Sequence, residues 1–297
     1  MSEVQNERFS FDTLIKEVLE GYSDGDVVQF INTLYGENLP LDSTVTRLAT
    51  ESNLNSEPRR SDVMFRINDR LFHAEVQSTP DSDIVFRMFE YGFRSAVLHG
   101  KTSTKDTLFL KFPAPIVIYL RNTESTPKEL KVCLELPNIE PVEYTVPTKR
   151  IGDYTYNSLV DGHLFAMAPF YPMKYEQVFT GNHSEEVEKQ CYDEVTQLTN
   201  KITKKVEDGE INKQVYDLSL SGMEQVMQYI QSKAEILNKE GFDMVMQNIQ
   251  QRKYVLDQLN WKEEGKIETA KKMKKDNLPL DTIRKYTDLP VETIQSL

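Results

Sequence analysis

Cysteine is scarce in this 297-residue chain, with only Cys133 and Cys191, far apart in sequence. So few thiols exclude a disulfide scaffold and fit a reduced, cytoplasmic protein in which both serve as packing residues. Histidine is nearly as rare: His73, His99, His163 and His183 are scattered, with no metal-ligand spacing. No apolar run of about 18 residues occurs, so no membrane-spanning helix is expected. No apolar run follows Met1 either, so no signal peptide is expected. An excess of positive charge is also missing. Lys and Arg number 35 against 47 Asp and Glu, a net charge of −12, which argues against a simple nucleic-acid coat. What is present, 39% hydrophobic and 28% charged residues, is the composition of a globular protein. The length suffices for one large or two modest domains.

The segment from Arg59 to Ser78, RRSDVMFRINDRLFHAEVQS, carries the most chemical information. Val63, Phe65 and Ile67 alternate with other residues, and Leu71 to Gln77 is again an apolar run with polar insertions. Both read as strands. Asn68-Asp69 between them suits a two-residue hairpin turn, weaker than Asn-Gly because the second position lacks glycine. With that turn, opposed residues have numbers summing to 137. Phe65 then faces Phe72, Val63 faces Ala74 and Asp62 faces Glu75. Gln77 joins Glu75 on the same face. Directly opposed like charges are destabilising, with Cβ atoms about 5 Å apart. A hard cation such as Mg²⁺ offsets that repulsion and takes oxygen ligands. Two other readings stay open: a solvated sheet face that simply carries charge, or a three-residue loop that separates the two acids. His73 shares the Glu75 face in this register and reads as structural.

Along the chain, Phe11 to Glu20 and Asp26 to Tyr35 read as helices stopped by Gly21 and Gly36. Thr44 to Thr50 reads as a first strand and the hairpin supplies two more. Asp81 or Ser82 caps a helix running to about Leu98, ended by Gly100. APIVIYL, Ala114 to Leu120, is a buried strand, and Leu130 to Leu136 and Val142 to Val146 are further strands. On the helix after the hairpin, Arg87, Tyr91 and Arg94 share a face suited to phosphate. Beside it runs a packed stripe of Val85, Met88, Phe89, Gly92 and Ala96. Between Arg59 and Lys111, nine basic residues meet seven acidic ones, so this region is locally positive in an acidic chain. His183 to Val206, Ser219 to Asn238 and Phe242 to Leu259 read as amphipathic helices packed on the core. Near the end, the basic helix KIETAKKMKK precedes LPLDTI and its repeat LPVETI, an arrangement like a helix-turn-helix. It suits DNA, dimerisation or packing.

Asp62 followed by Glu75-Val76-Gln77 after a short hairpin resembles the PD-(D/E)XK nuclease superfamily. Within it, the chain is similar to the Rpn (YhgA-like) branch of recombination-promoting nucleases or putative transposases. Phe30 to Ser52 (FINTLYGENLPLDSTVTRLATES), Asp81 to Val97 (DSDIVFRMFEYGFRSAV) and the tail from Glu264 resemble segments of that branch. The likeness is strongest from residue 25 to 120. It implies an α/β fold: a restriction-endonuclease-like core, a mixed sheet flanked by helices, with an α-helical C-terminal extension. The division expected is a nuclease-like domain over residues 1–180, a helical extension over 181–260, and the basic helix with its tail over 261–297.

The implied activity is metal-dependent hydrolysis of DNA, linked to recombination or transposition. Asp62, Glu75 and Gln77 would be catalytic. Asp62, Glu75, the Val76 backbone and Glu51 would hold Mg²⁺, Mn²⁺ or Ca²⁺. Arg87, Tyr91 and Arg94 would contact DNA, no membrane would be involved, and there is room for a homodimer. Ser61 stands where the superfamily has Pro, and Gln77 where it has Lys. Neutral Gln77 orients water only by hydrogen bonding. Two alternatives stay open: a DNA-binding recombination accessory protein without catalysis, and a protein-interaction module.

Overall fold

A capping box opens the second helix. Ser23 Oγ accepts from the Asp26 amide at 3.2 Å, and Asp26 Oδ2 accepts from the Ser23 amide at 3.0 Å. The helix therefore starts at Asp24, two residues before the expected Asp26. It ends at Gly36, whose φ of 69° is the left-handed conformation that glycine adopts without penalty. In the computed structural model, residues 11–48, 51–52, 59–60, 63–78, 81, 83–121 and 126–297 are described.

The first half of the chain runs α1 (Phe11–Glu20), α2 (Asp24–Tyr35), β1 (Val45–Arg47), β2 (Glu51–Ser52), β3 (Arg59–Arg60), β4 (Val63–Ile67), β5 (Arg70–Gln77) and α3 (Ile84–His99). It continues with β6 (Lys101–Ser103), β7 (Leu108–Leu110), β8 (Ala114–Tyr119), β9 (Glu129–Leu134) and β10 (Val142–Arg150). Helices follow: α4 (Tyr156–Asp161), a 3₁₀ segment (Ala168–Tyr175), α5 (Glu176–Phe179), α6 (Glu185–Glu207), α7 (Lys213–Lys233), α8 (Lys239–Lys275), α9 (Leu280–Thr287) and α10 (Val291–Ser296).

Six strands form one mixed sheet in the order β1-β4-β5-β8-β10-β9. β4 and β5 pair antiparallel with Val63 opposite Ala74, Phe65 opposite Phe72 and Ile67 opposite Arg70, so the register expected from a two-residue turn is the observed one. Asn68 takes a φ of 53°, which asparagine tolerates. Its side chain ties the turn to the start of β1, accepting from the Thr44 amide at 3.2 Å and donating to Ser43 Oγ at 3.3 Å. β5 pairs parallel with β8, setting Glu75 opposite Val117 and Gln77 opposite Tyr119.

Helices cover both faces of the sheet. Phe72, Ala74 and Val76 pack into a large core with α1, α2, α4, α6, α7 and the start of α8. The opposite face carries α3, through Ile84, Met88, Val117, Tyr119 and Val146. Coverage on both sides explains why six consecutive residues of β5, Leu71 to Val76, are buried. The buried stripe of α3 is Ile84, Met88, Tyr91, Gly92, Ser95 and Ala96. The expected Val85 and Phe89 are only half-buried at its margin. Asp83 holds the N-cap position of α3, without a side-chain cap bond. The expected Asp81 instead accepts from the Asp83 amide at 2.9 Å, and the other expected cap, Ser82, lies outside the described residues. Cys191 is buried as expected, but Cys133 is exposed because β9 is an edge strand.

The helical region differs from its expected segmentation. The predicted helix at Phe242 to Leu259 and the basic helix after it are one helix, the 37-residue α8. It runs through Gly265, whose missing Cβ faces open space. A mid-helix glycine costs only about 1 kcal/mol, too little to break so long a helix. Gly265→Ala is therefore expected to raise stability by about 0.5–1 kcal/mol, read as a higher denaturant midpoint at unchanged slope. The end of α8 forms a separate small core with α9 and α10 around Ala270, Ile283, Leu289 and Ile294. Lys274 Nζ donates to the carbonyls of Ile294 (3.1 Å) and Gln295 (2.8 Å), so this basic residue closes the end of α10.

Candidate functional site

Alternation along β5 sends His73, Glu75 and Gln77 to the side of the sheet covered by α3. Glu75 is 4% exposed and His73 0%, while Gln77, the last strand residue, is half-buried. Leu120 donates its amide to the Gln77 carbonyl at 2.9 Å, fixing the strand end where the site opens. Val76 turns into the large core, with its backbone in the ladder opposite Ile118. Asp62, the expected partner of Glu75, lies outside the described residues. Glu51 pairs through its backbone with Arg60, and its side chain is likewise outside them.

α3 closes the site from above. Tyr91 is buried and packs edge-on against the His73 ring, with centroids 5.9 Å apart. It is thus a wall of the site rather than part of an open stripe. Arg87 and Arg94 are half-buried. Arg87 pairs with Asp81 at 3.0 Å and Arg94 with Glu90 at 2.6 Å, so both guanidinium groups have acidic partners on or beside the helix. Tyr119 lies beside Gln77 on β8. Burial, then the charge of Asp81, pushes its hydroxyl pKa above the usual tyrosine value, which keeps it a neutral donor. Sequence reasoning missed Tyr119, because only the parallel β5–β8 register brings it level with Gln77.

The seam between α3 and the sheet gathers polar atoms that lack hydrogen bonds. Nine buried side-chain atoms are without such a partner among the described residues. Five of them are in this seam: both nitrogens of His73, Arg87 Nε, Ser95 Oγ and Tyr144 Oη. Buried polar groups are nearly always satisfied by protein, water or an ion. These atoms are spread along the seam, where His73 is the one that stands beside the Glu75 carboxylate. His73 Nε2 stands 3.6 Å from Glu75 Oε2. A carboxylate with an adjacent unbonded imidazole is a donor set that fits a divalent cation. Among the described residues, no group of three or more acidic, histidine or cysteine side chains converges.

Behind this end of the sheet, Arg121 bridges to the helical region. Its guanidinium binds Glu176 at 2.5 and 3.0 Å, donates to Tyr229 Oη at 2.6 Å, and reaches the carbonyl of Ser78, next to Gln77, at 3.4 Å.

No family model, curated protein or solved structure matches this chain. No described helix is long and apolar enough to cross a membrane.

Proposed function

We propose that this chain is a metal-dependent DNA endonuclease with a restriction-endonuclease-like core, acting in recombination or transposition. The observation that carries the reading is the β4–β5 register. Its observed pairs run from Ile67–Arg70 to Val63–Ala74, and Glu75 and Gln77 follow on one face at the strand end. Asp62 and Glu75 would hold the cation, with the Val76 carbonyl and Glu51 as further oxygen donors. The buried, unbonded nitrogens of His73 support a polar occupant here. A bound Mg²⁺ or Mn²⁺ supplies Lewis-acid polarisation of the phosphate and lowers the pKa of a bound water.

The chain's own residues do the rest. Gln77 orients the attacking water by hydrogen bonding. The water's oxygen bonds to phosphorus as the water gives up a proton to solvent, one P–O ester bond breaks, and the leaving oxygen takes up a proton from solvent. Arg87 exchanges Asp81 for the phosphate, which an Arg fork matches bidentately. Tyr91, Tyr119 and α3 limit access of bulk water to Glu75. DNA would approach the locally positive region between Arg59 and Lys111, and its binding would weaken steeply with salt.

A second reading, DNA binding without cleavage, draws on Gln77, which lacks the charge that a lysine would supply there. The test is nicking of supercoiled plasmid by the purified full chain. Nicking in Mg²⁺ or Mn²⁺ that EDTA abolishes is the expected result. Salt-sensitive binding without nicking in any divalent ion would select the second reading.

A further inference from the structure

In the seam between β5 and α3, His73 stands next to Glu75 and has no role in the proposed hydrolysis. His73 is fully buried, and neither Nδ1 nor Nε2 has a hydrogen-bond partner among the described residues. Leaving a buried nitrogen unbonded costs about 1–3 kcal/mol, so a partner for these nitrogens stabilises the fold. Its Nε2 stands 3.6 Å from Glu75 Oε2, beyond hydrogen-bonding distance. Two donors of a single ion bridge such a gap, because ligand bonds of about 2.1 Å from each reach across it. The two residues are i and i+2 on one strand, so both side chains leave the same face. Tyr91, edge-on at 5.9 Å, holds the imidazole plane, and buried Met64 sits opposite His73 on β4.

We propose that His73 is a nitrogen ligand of the divalent cation at this site. The site therefore takes a nitrogen-accepting first-row ion, Mn²⁺ or a heavier neighbour, in preference to Mg²⁺. The proposal rests on the reading of Glu75 as a metal ligand. Mg²⁺ keeps to oxygen donors and gives up water reluctantly. An imidazole ligand favours first-row ions, least Mn²⁺ and increasingly the later metals, while carboxylate accepts Mg²⁺ and Mn²⁺ alike. An imidazole beside a carboxylate thus discriminates between ions where a pair of carboxylates does not.

The test is pulsed electron paramagnetic resonance of the full chain loaded with one equivalent of Mn²⁺. The expected spectrum carries ¹⁴N modulation from a directly bound imidazole, lost in His73→Gln and retained in His183→Gln. His183 is the control because its Nε2 also faces a buried carboxylate, Glu188, at 3.9 Å. Calorimetric titration should show Mn²⁺ affinity reduced in His73→Gln at least as much as by loss of a ligand-supporting residue, about 10–100-fold. Mg²⁺ affinity should stay within a few-fold of wild type.

Mn²⁺ bound by the wild type without ¹⁴N coupling overturns the proposal. So does coupling that vanishes with His183 instead of His73, or folded wild type that binds no Mn²⁺. The wild-type spectrum decides the matter even if His73→Gln does not fold. Plasmid nicking separates the two readings. Nicking without ¹⁴N coupling removes His73 from the metal and leaves the nuclease. Coupling without nicking leaves the metal site and removes the nuclease.

Discussion

Glu75→Gln is expected to leave the protein folded while lowering metal-dependent nicking of DNA by about 10³-fold, or about 4 kcal/mol of barrier. The change keeps the shape of a side chain that is 4% exposed and removes only its charge. Glutamine keeps the volume of the side chain and one acceptor oxygen, so the variant should remain folded in metal-free buffer. The metal should then separate them. Mn²⁺ at about 100 times its Kd stabilises a protein that binds it only when folded by about 2.7 kcal/mol. Wild type should gain that increment and Glu75→Gln should gain none. A variant that is folded without metal, unresponsive to it and unable to nick would place the charge of Glu75 in the metal site. A variant that nicks at the wild-type rate would remove Glu75 from the chemistry.

Arg121→Ala is expected to lower stability by about 2–3 kcal/mol, visible as a lower denaturant midpoint. The Arg121 and Glu176 side chains are 19% and 15% exposed, and two of the Arg121 donors meet both carboxylate oxygens. Removing one partner strands the other. For a fully buried pair that costs about 3–5 kcal/mol, and partial access to water reduces it here. Tyr229 Oη and the Ser78 carbonyl lose a donor in the same step. Arg121→Lys should recover little, since an ammonium cannot reproduce the fork that binds Glu176, Tyr229 and Ser78 together. Because Ser78 follows Gln77, the same variants should also loosen the mouth of the site. Unchanged stability in Arg121→Ala would show that the helical region holds the sheet by apolar packing alone.

The hairpin was legible although its turn signal is weaker than Asn-Gly. Asn68 tolerates a positive φ, the strands alternate, and a two-residue loop leaves a single register. Gly36 and Gly100 ended α2 and α3 where expected. Other features depend on partners distant in sequence. The parallel pairing of β8 with β5, which brings Tyr119 level with Gln77, leaves no local mark. Nor could the sequence distinguish Tyr91 on an open stripe from Tyr91 packed on His73, because helical spacing gives a face and not its neighbour. His73 illustrates the same limit. It reads as a structural residue from its place in a strand, and only the absence of any hydrogen-bond partner marks it out. The unbroken course of α8 was hidden because Gly265 and a polar stretch imitate a boundary.

The central claim is that Asp62 and Glu75 together hold the cation that drives DNA hydrolysis. Its most direct test is nicking of supercoiled plasmid by Asp62→Asn beside wild type, in Mn²⁺ and in EDTA, with both proteins confirmed folded. The account predicts metal-dependent nicking by wild type and none above the EDTA background by Asp62→Asn. Equal nicking by the two proteins, or none by folded wild type in any divalent ion, would contradict it.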